Sequence, residues 1–369
     1  MVWASLLPTD KPAGFESTER SPQLGLYTGI SGILYLIAKA QLKGYIHPST
    51  LSLYQKNWEY LIKNHLNSKD QIAPGLYFGR AGISLAIAEG LRSRLVEKNA
   101  VDFLEPCFTS VSPFCNISTG VAGQALALLR CQDVLDPFFF KNKMREFRTI
   151  LLSRQLKDGS WPNYRIKKND NLIGFSYGTA GILWFLMQLN QVEKNAEVTT
   201  SIEHGLKWLL NIASKRKGKR FWNTSTKSPS TTHWEIDMGT PGLTLTFLKA
   251  YETLRKNLFA DLATDLLESI PANPTYPDFT QATGLSGLGE LYLEAKRILN
   301  TTQWDTRLNW LLNLFKNTLI QSENSGAYWS CTPYPDYELD FMTGVCGIIH
   351  LLIRCRYPNE ITHVFEKSA

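Results

Sequence analysis

Several short polar segments of this sequence carry side chains that could transfer a proton. Asp237 and Asp340 have carboxylates and His233 has an imidazole, so each could remove a proton from a weak nucleophile near neutral pH. Tyr177 has a phenol that could stabilise or protonate an anion formed in the same reaction. We predict that these four residues are catalytic and that their chemistry is general acid and base catalysis.

Other residues of the same segments are suited to holding a substrate rather than reacting with it. They carry aromatic, amide, hydroxyl or carboxylate groups, and they are Tyr27, Tyr77, Asn116, Trp234, Glu235, Thr283 and Phe341. A simpler interpretation of the two aspartates stays open. Asp237 and Asp340 each stand just before a predicted helix, where an acid often caps the first turn.

Each of these segments precedes a pair of glycines three residues apart, and the pair recurs seven times. The first glycines are 41 to 61 residues apart, which is one helical hairpin plus a variable loop. An apolar run of about a dozen residues follows each pair, which indicates a helix buried on all sides. The pairs are Gly29/Gly32, Gly79/Gly82, Gly120/Gly123, Gly178/Gly181, Gly239/Gly242, Gly284/Gly287 and Gly344/Gly347.

Segments with only one apolar stripe alternate with these buried helices. They lie at 48–67, 137–155, 195–214, 256–270 and 302–321, with a weaker case at 93–107. Helices buried all round must lie inside helices that bury one stripe, which predicts two concentric rings in one domain over residues 1–369. Six outer segments leave a seventh place, which we assign to the tail Asn359–Lys367. Residues 1–24 are predicted to be a surface arm that helps to seal the seam.

A common direction for the inner helices would bring all seven N-termini to one end of the ring. Their unpaired N–H groups and helix dipoles would then favour anionic groups there. We call this predicted concave end the bowl, and the catalytic and substrate-binding residues above are predicted to line it.

Composition argues against several other classes of protein. The charge is mild, with 39 Lys and Arg against 33 Asp and Glu, so nucleic-acid binding is not indicated. The basic run at 215–220 is interpreted as a solvated loop, or as a contact for an acidic peptide. The longest uncharged apolar runs, about 14 residues, fall short of a membrane span. We expect no signal peptide, and six cysteines without a CxxC pair favour a reducing cytoplasm.

The seven glycine pairs resemble those of the lanthionine synthetase C-like cyclases, and the resemblance covers essentially the whole chain. The variants Ala180-Gly181-Ile182 and Pro241-Gly242-Leu243 and the turn at 158–162 add to it. The resemblance implies an all-α fold, an α/α toroid of seven helical hairpins. Terpene-cyclase and glycosidase α/α barrels are the alternative, but they usually have six hairpins and lack the phased pair.

The resemblance also implies where zinc ligands would stand. The family's cysteine before the fifth pair and Cys-His before the sixth correspond here to Asp237, Ala282 and Thr283, and Tyr177 and Asn116 replace a family His and Asp. Zinc needs three or four converging donors, so we predict no metal and no other cofactor. Cys346 could replace a lost ligand, although its place at the start of an apolar helix favours a core role.

Two functions follow from the resemblance. The first is a zinc-independent cyclase of lanthipeptide type, which promotes addition of a peptide cysteine thiol to a dehydroamino acid. The second is a binding module that has lost the chemistry and holds a precursor peptide or a partner enzyme of the kinase, lyase or dehydratase kind.

Overall fold

The computed structural model describes residues 6–8, 20–22, 24–67, 72–162, 171–216, 218–227, 234–274, 278–322, 326–331 and 339–367. His233 and most of the predicted N-terminal arm lie outside these residues. The described part of the arm is a short antiparallel hairpin in which strand β1 (Leu6–Pro8) pairs with β2 (Arg20–Pro22).

Seven helices form the inner ring, and each begins directly after the first glycine of a pair. Nearly all of their side chains are buried, as the all-round apolar pattern predicts. They are α1 (Ile30–Gln41), α3 (Arg80–Arg92), α4 (Val121–Arg130), α6 (Thr179–Val192), α8 (Thr240–Leu254), α10 (Leu285–Leu299) and α12 (Val345–Arg356).

The second glycine of each pair lies where the start of an inner helix approaches its own preceding loop and the loop of the preceding unit. A Cβ on Gly181 would lie 1.9 Å from the carbonyl oxygen of Phe175 and 2.7 Å from the side chain of Ile117 in the preceding unit. The same relation closes the circle, because a Cβ on Gly32 would lie 2.6 Å from Phe341 of the seventh unit. Only glycine leaves room for this contact.

In the described part of the chain, five helices form the outer layer, and each packs on the inner helix before it. They are α2 (Pro48–Leu61), which continues as a π-helical turn at Ile62–Leu66, α5 (Pro137–Ser153), α7 (Ala196–Ile212), α9 (Asn257–Ser269) and α11 (Asp305–Thr318). Side-chain caps begin three of them: Asp136 accepts from the Phe139 N–H at 2.8 Å, and Asn195 and His47 make equivalent bonds.

The prediction of an α-helix at 93–107 is wrong. Two 3₁₀ turns, Lys98–Phe103 and Glu105–Phe108, lie there instead. Pro106 lacks the N–H that a continuous α-helix would need at that point, which accounts for the break.

Two further hairpins lie in the loops between outer and inner helices. Strand β3 (Ser214–Arg216) pairs with β4 (Lys219–Phe221), and β5 (Ile320–Ser322) pairs with β6 (Gly326–Tyr328). The basic run at 215–220 therefore forms part of a hairpin whose Lys215, Lys219 and Arg220 are exposed, in keeping with a solvated loop. Within the described part of the chain, no helix is long and apolar enough to cross a membrane.

The tail does not supply a seventh outer helix, so that prediction is wrong. Residues 359–367 form turns that enter the ring at the end where the inner helices finish, which we call the far end. The Phe365 carbonyl accepts hydrogen bonds from Trp184 at 3.1 Å and Gln188 at 2.6 Å. Val364 and Phe365 are fully buried, because the ring interior hides their apolar surface completely, whereas an outer position would hide one face.

Candidate functional site

Backbone hydrogen bonds join the seven loops that precede the glycine pairs into a closed circle. The residue two positions before each first glycine takes part. In six loops its N–H donates to the carbonyl of the next loop, and in the fifth loop the N–H of Ile236, one position earlier, is the donor. Examples are Tyr27 to Tyr77 at 2.9 Å, Ser176 to Asp237 at 2.9 Å, and Met342 back to Tyr27 at 3.0 Å. We call these residues the loop ring: Tyr27, Tyr77, Ser118, Ser176, Asp237 with its neighbour Ile236, Ala282 and Met342.

The loop ring confirms that all inner helices begin at one end. It also brings side chains from distant units together at the centre. Asp237 Oδ2 accepts a hydrogen bond from the Tyr27 hydroxyl at 2.7 Å, and Oδ1 accepts one from the Ser176 hydroxyl. The Tyr77 hydroxyl lies 2.7 Å from Ser176 Oγ. Because Ser176 donates its only hydroxyl proton to Asp237, the hydrogen bond between Ser176 and Tyr77 is donated by the Tyr77 hydroxyl.

The Asp237 carboxyl has a pKa close to neutral. Burial, which disfavours the charged form, raises the pKa from 3.8 to about 6, although hydrogen bonds from Ser176 and Tyr27 act in the opposite direction. Asp237 is 5% exposed and Tyr27, which lies against it, is only partly buried. A buried carboxyl with a pKa near the working pH is suited to general base catalysis.

Tyr27 and Tyr77 are both held in the neutral form. Burial and the Asp237 charge raise the pKa of each phenol well above its ordinary value of 10. Their rings lie against each other with centroids 4.7 Å apart. The two phenols therefore act as hydrogen-bond donors and not as anions.

The capping interpretation of Asp237 does not match its contacts, because both of its oxygens accept from hydroxyl groups of other units. The contacts of Asp340 fit the capping interpretation better. Its Oδ1 accepts from the backbone N–H of Gly29 at 2.7 Å, at the start of α1. This bond ties the seventh loop to the first unit, and a catalytic role for Asp340 stays a prediction.

Tyr177 lies one position beyond the loop ring and is partly exposed. It directly follows Ser176, whose hydroxyl is hydrogen-bonded to Asp237 and Tyr77, so its backbone lies next to the site. His233, the other predicted catalytic residue, lies outside the described residues.

The residues predicted to bind substrate fall into two groups. Trp234, Glu235 and Thr283 are partly exposed, as a lining role requires. Tyr77 and Phe341 are fully buried, and Phe341 packs edge-on against Tyr35 with centroids 5.3 Å apart. Because both side chains are buried inside the ring, they pack behind the site and do not line its surface.

Asn116 is also buried, and its side-chain oxygen accepts from the Thr119 N–H at 2.8 Å. Its amide therefore stabilises its own loop. Ser176 was not predicted as a site residue, although it occupies the same position before its glycine pair as Asp237. The position two residues before a first glycine, which Ser176 shares with Asp237, is the sequence feature that could have identified it.

The residues at the positions of the family's zinc ligands do not fit a zinc ion. Both Asp237 oxygens already accept hydrogen bonds, and Ala282 has no donor atom and is fully buried. The Thr283 hydroxyl donates to Asp278. Across the described residues, no group of three His, Cys, Asp or Glu converges as a metal site. Cys346 is 4% exposed and packs in the core, which is the structural role favoured above.

We expect the purified protein to bind zinc at far below one equivalent per chain. The physical reason is the donor count, since tight structural and catalytic zinc sites use three or four N, S or O ligands. Elemental analysis of protein dialysed without chelator measures the metal directly. Near one equivalent of zinc that is lost in Asp237→Ala would contradict the prediction.

A closed ring of seven inner helices with a second layer outside defines the class of protein as an α/α toroid. The family model described as lanthionine synthetase C-like protein matches residues 23–366. The chain therefore belongs to the lanthionine synthetase C-like family, as the glycine pairs predicted. No curated protein sequence matches it.

Among solved structures, nisin cyclase is similar in fold, with a TM-score of 0.71, 18% sequence identity and coverage of 94% of each chain. A GH76 α-mannanase from Bacteroides thetaiotaomicron is far less similar, with a TM-score of 0.45, 12% identity and coverage of 64% of this chain and 68% of its own. The first similarity supports the toroid fold, and the second is too low to carry an argument.

Proposed function

We propose that this protein is a zinc-independent cyclase acting on a ribosomally made precursor peptide. It would promote addition of a cysteine thiol to a dehydroalanine or dehydrobutyrine, closing a thioether ring. One observation carries the proposal: the family's metal position is taken by Asp237, a buried carboxyl whose pKa is raised to about 6 and which accepts bonds from two hydroxyls. A base thus stands where the resemblance places a metal ligand.

The first step of the proposed reaction removes the thiol proton. A cysteine thiol with an ordinary pKa near 8.5 is only a few per cent ionised at pH 7, so a base accelerates its attack. Tyr27 is partly exposed, whereas Asp237 is buried, and the Tyr27 hydroxyl donates to Asp237. The Tyr27 oxygen therefore receives the thiol proton as its own proton passes to Asp237.

The second step forms the carbon–sulfur bond. The thiolate attacks the β-carbon of the dehydroamino acid, the carbon–carbon π bond breaks, and negative charge develops on the enolate oxygen. Tyr177 follows Ser176 in the same loop and is partly exposed, so we assign its hydroxyl the role of donating a hydrogen bond to that oxygen. The proton held by Asp237 then returns through Tyr27 to the α-carbon. The addition is balanced and leaves the site in its starting state.

The alternative function is a binding module that holds the precursor peptide or a kinase-, lyase- or dehydratase-like partner. The slight exposure of Asp237, 5%, favours this alternative, because a reacting group must reach the base directly or through Tyr27. A cytoplasmic location suits either function, since all six cysteines are free thiols.

The cyclase is tested with a synthetic peptide that carries one dehydroalanine and one cysteine. Cyclisation leaves the mass unchanged and removes the free thiol, so alkylation with iodoacetamide followed by mass spectrometry reports the product. We expect the thiol to disappear at least about tenfold faster with the protein than with heat-denatured protein. Equal rates would reject the cyclase and leave the binding module.

In the same assay, Tyr27→Phe should lose most of the acceleration, because it removes the hydroxyl that carries the proton and keeps the ring. A Tyr27→Phe variant with the parent rate would show that the proton reaches Asp237 by another route.

A further inference from the structure

The outer layer of the toroid lacks one element. Each of the first six inner helices is followed by outer structure that packs on it, either one of the five helices or the two 3₁₀ turns after α3. After α12 the chain turns into the ring instead of returning along its outer face. Among the described residues, no outer helix follows α12.

An apolar groove of about 840 Å³ marks the vacant position. Its floor is formed by α1 and α12, one wall is formed by α2, and Leu339 lies at the end nearest the loop ring. Ile349 of α12 is 36% exposed and Leu339 is 41% exposed. Inner-helix side chains elsewhere are almost all buried, so the groove exposes a surface that the rest of the fold covers.

The other units show what fits such a groove. The outer helices that fill the equivalent places have 13 to 17 residues, one apolar stripe and a polar outer face. In α9, Phe259, Leu262 and Leu266 are buried, whereas Asp261 and Asp265 face solvent. The occupant that the architecture calls for is an amphipathic α-helix of this length.

The stretches outside the described residues do not suit such a helix. Their longest run, 9–19, is interrupted by Pro12, and the next, 163–170, has only eight residues. Proline in a helix interior costs about 3 kcal/mol or more. None of these stretches offers a proline-free run of 13 residues, so we consider an occupant from another chain.

The direction of the outer helices indicates which chain. Each outer helix starts at the far end and finishes at the end of the loop ring, because short turns connect it to the inner helix before it. Residues that follow the C-terminus of a helix bound in this direction therefore lie at the loop ring. Arg356 is exposed at the far end of the groove, where it favours an acidic residue in the first turn of a bound helix.

We propose that the groove between α1 and α12 binds an amphipathic helix of the substrate peptide, located N-terminal to the segment that reacts. This inference rests on the proposed function, because it identifies the substrate of that same site. The bound helix completes the outer layer and delivers the residues that follow it to Tyr27 and Asp237.

The binding test uses a fluorescein-labelled peptide with the sequence Asp305–Thr318, which is the chain's own outer helix α11 and has an acid in its first turn. Fluorescence anisotropy should show saturable binding to the full-length protein, and Ile349→Glu should weaken the affinity at least tenfold. Phe138→Glu is the matched control, since Phe138 is 76% exposed at the start of α5 and far from the groove, and it should bind like the parent. Because Ile349 is partly exposed, we expect both variants to fold, which thermal melting verifies.

Delivery is tested by joining the same helix, through a flexible Gly-Ser linker, to the dehydroalanine–cysteine peptide. We expect KM to fall about tenfold relative to the unlinked peptide, since the linker raises the local concentration at the site, and the gain should vanish in Ile349→Glu. Absence of binding, or equal binding by Ile349→Glu, overturns the proposal, including the case in which residues 1–23 fill the groove. Binding without a KM difference overturns the substrate assignment. Binding without any thiol loss keeps the groove and rejects the cyclase.

Discussion

Asp237→Asn is expected to reduce the rate of thioether formation by about 100-fold, since general base contributions run to roughly 10²–10⁴. The amide keeps the size of the side chain and one acceptor oxygen. Its NH₂ group replaces the second acceptor, and the hydroxyl of Tyr27 or Ser176 can rotate to accept from it. Folding should therefore survive while the base is lost. Thiol consumption by the dehydroalanine–cysteine peptide measures the rate, and thermal melting measures the fold.

Asp278→Asn is the matched control for this change. Asp278 lies in a neighbouring loop, and its carboxylate also accepts two hydrogen bonds, from the Thr280 N–H at 2.6 Å and from the Thr283 hydroxyl. Neither of these bonds reaches Tyr27, Ser176 or Asp237, so its loss of charge should leave the rate within about threefold of the parent. A parent-like rate in Asp237→Asn would assign Asp237 a structural role and favour the binding module.

The pH dependence of stability provides an independent check on Asp237. Its folded pKa, about 6, lies above its ordinary value of 3.8, so the native state holds the proton more tightly than the unfolded state. The resulting stabilisation is complete below pH 4 and is lost as the pH rises through 6. It amounts to about 3 kcal/mol for this buried group. We compare the free energy of unfolding of the parent with that of Asp237→Asn, and the difference, parent minus variant, should fall by about that amount between pH 4 and 7. The parent's kcat/KM should rise over the upper part of the same range, as the base loses its proton.

Gly181→Ala is expected to destabilise the fold by about 3 kcal/mol or more, which is at the upper end of overpacking effects. The new methyl would lie 1.9 Å from the Phe175 carbonyl oxygen. That backbone cannot move freely, because the next residue, Ser176, belongs to the loop ring and binds Asp237. The substitution should therefore lower the melting temperature and disturb the site together. Urea unfolding measures the stability.

Gly205→Ala is the control for Gly181→Ala, because Gly205 is also helical and buried. Its added methyl would meet the end of the Leu183 side chain, 2.6 Å from Cδ2. A side-chain end can rotate away, and alanine gains roughly 0.5–1 kcal/mol of helix propensity over glycine. We expect a change within about 1 kcal/mol. Equal stability of the two variants would show that the close approach at Gly181 is not required.

Local patterns were sufficient for the helices. A glycine pair followed by an apolar run marks each inner helix, because a helix buried on all sides needs no polar face and a crowded helix start needs residues without a Cβ. The capping residues Asp136 and Asn195 and the prolines at 48 and 137 mark the starts of outer helices. The segment at 93–107 forms 3₁₀ turns instead of the predicted helix, because Pro106 has no N–H for an α-helical hydrogen bond.

The sequence alone also indicated that Asp237 lies at the site and that the family's zinc ligands are missing, since both depend on position relative to a glycine pair. The partners of Asp237 required the tertiary structure. Tyr27 and Ser176 are 210 and 61 residues away from it, and only closure of the ring brings them into contact. The raised pKa depends on that burial, which no local pattern predicts.

The tertiary structure also decided where the tail goes and what the outer layer lacks. The tail has a few apolar residues that suit either a helix stripe or a buried turn, and the choice depends on the space inside the ring. With Val364 and Phe365 in that space, no helix of the described residues covers the outer face of α12. The sequence by itself therefore determined the repeated unit, its helices and the identity of the central acid. The contacts of that acid, the path of the tail and the open groove depend on closure of seven units into one ring.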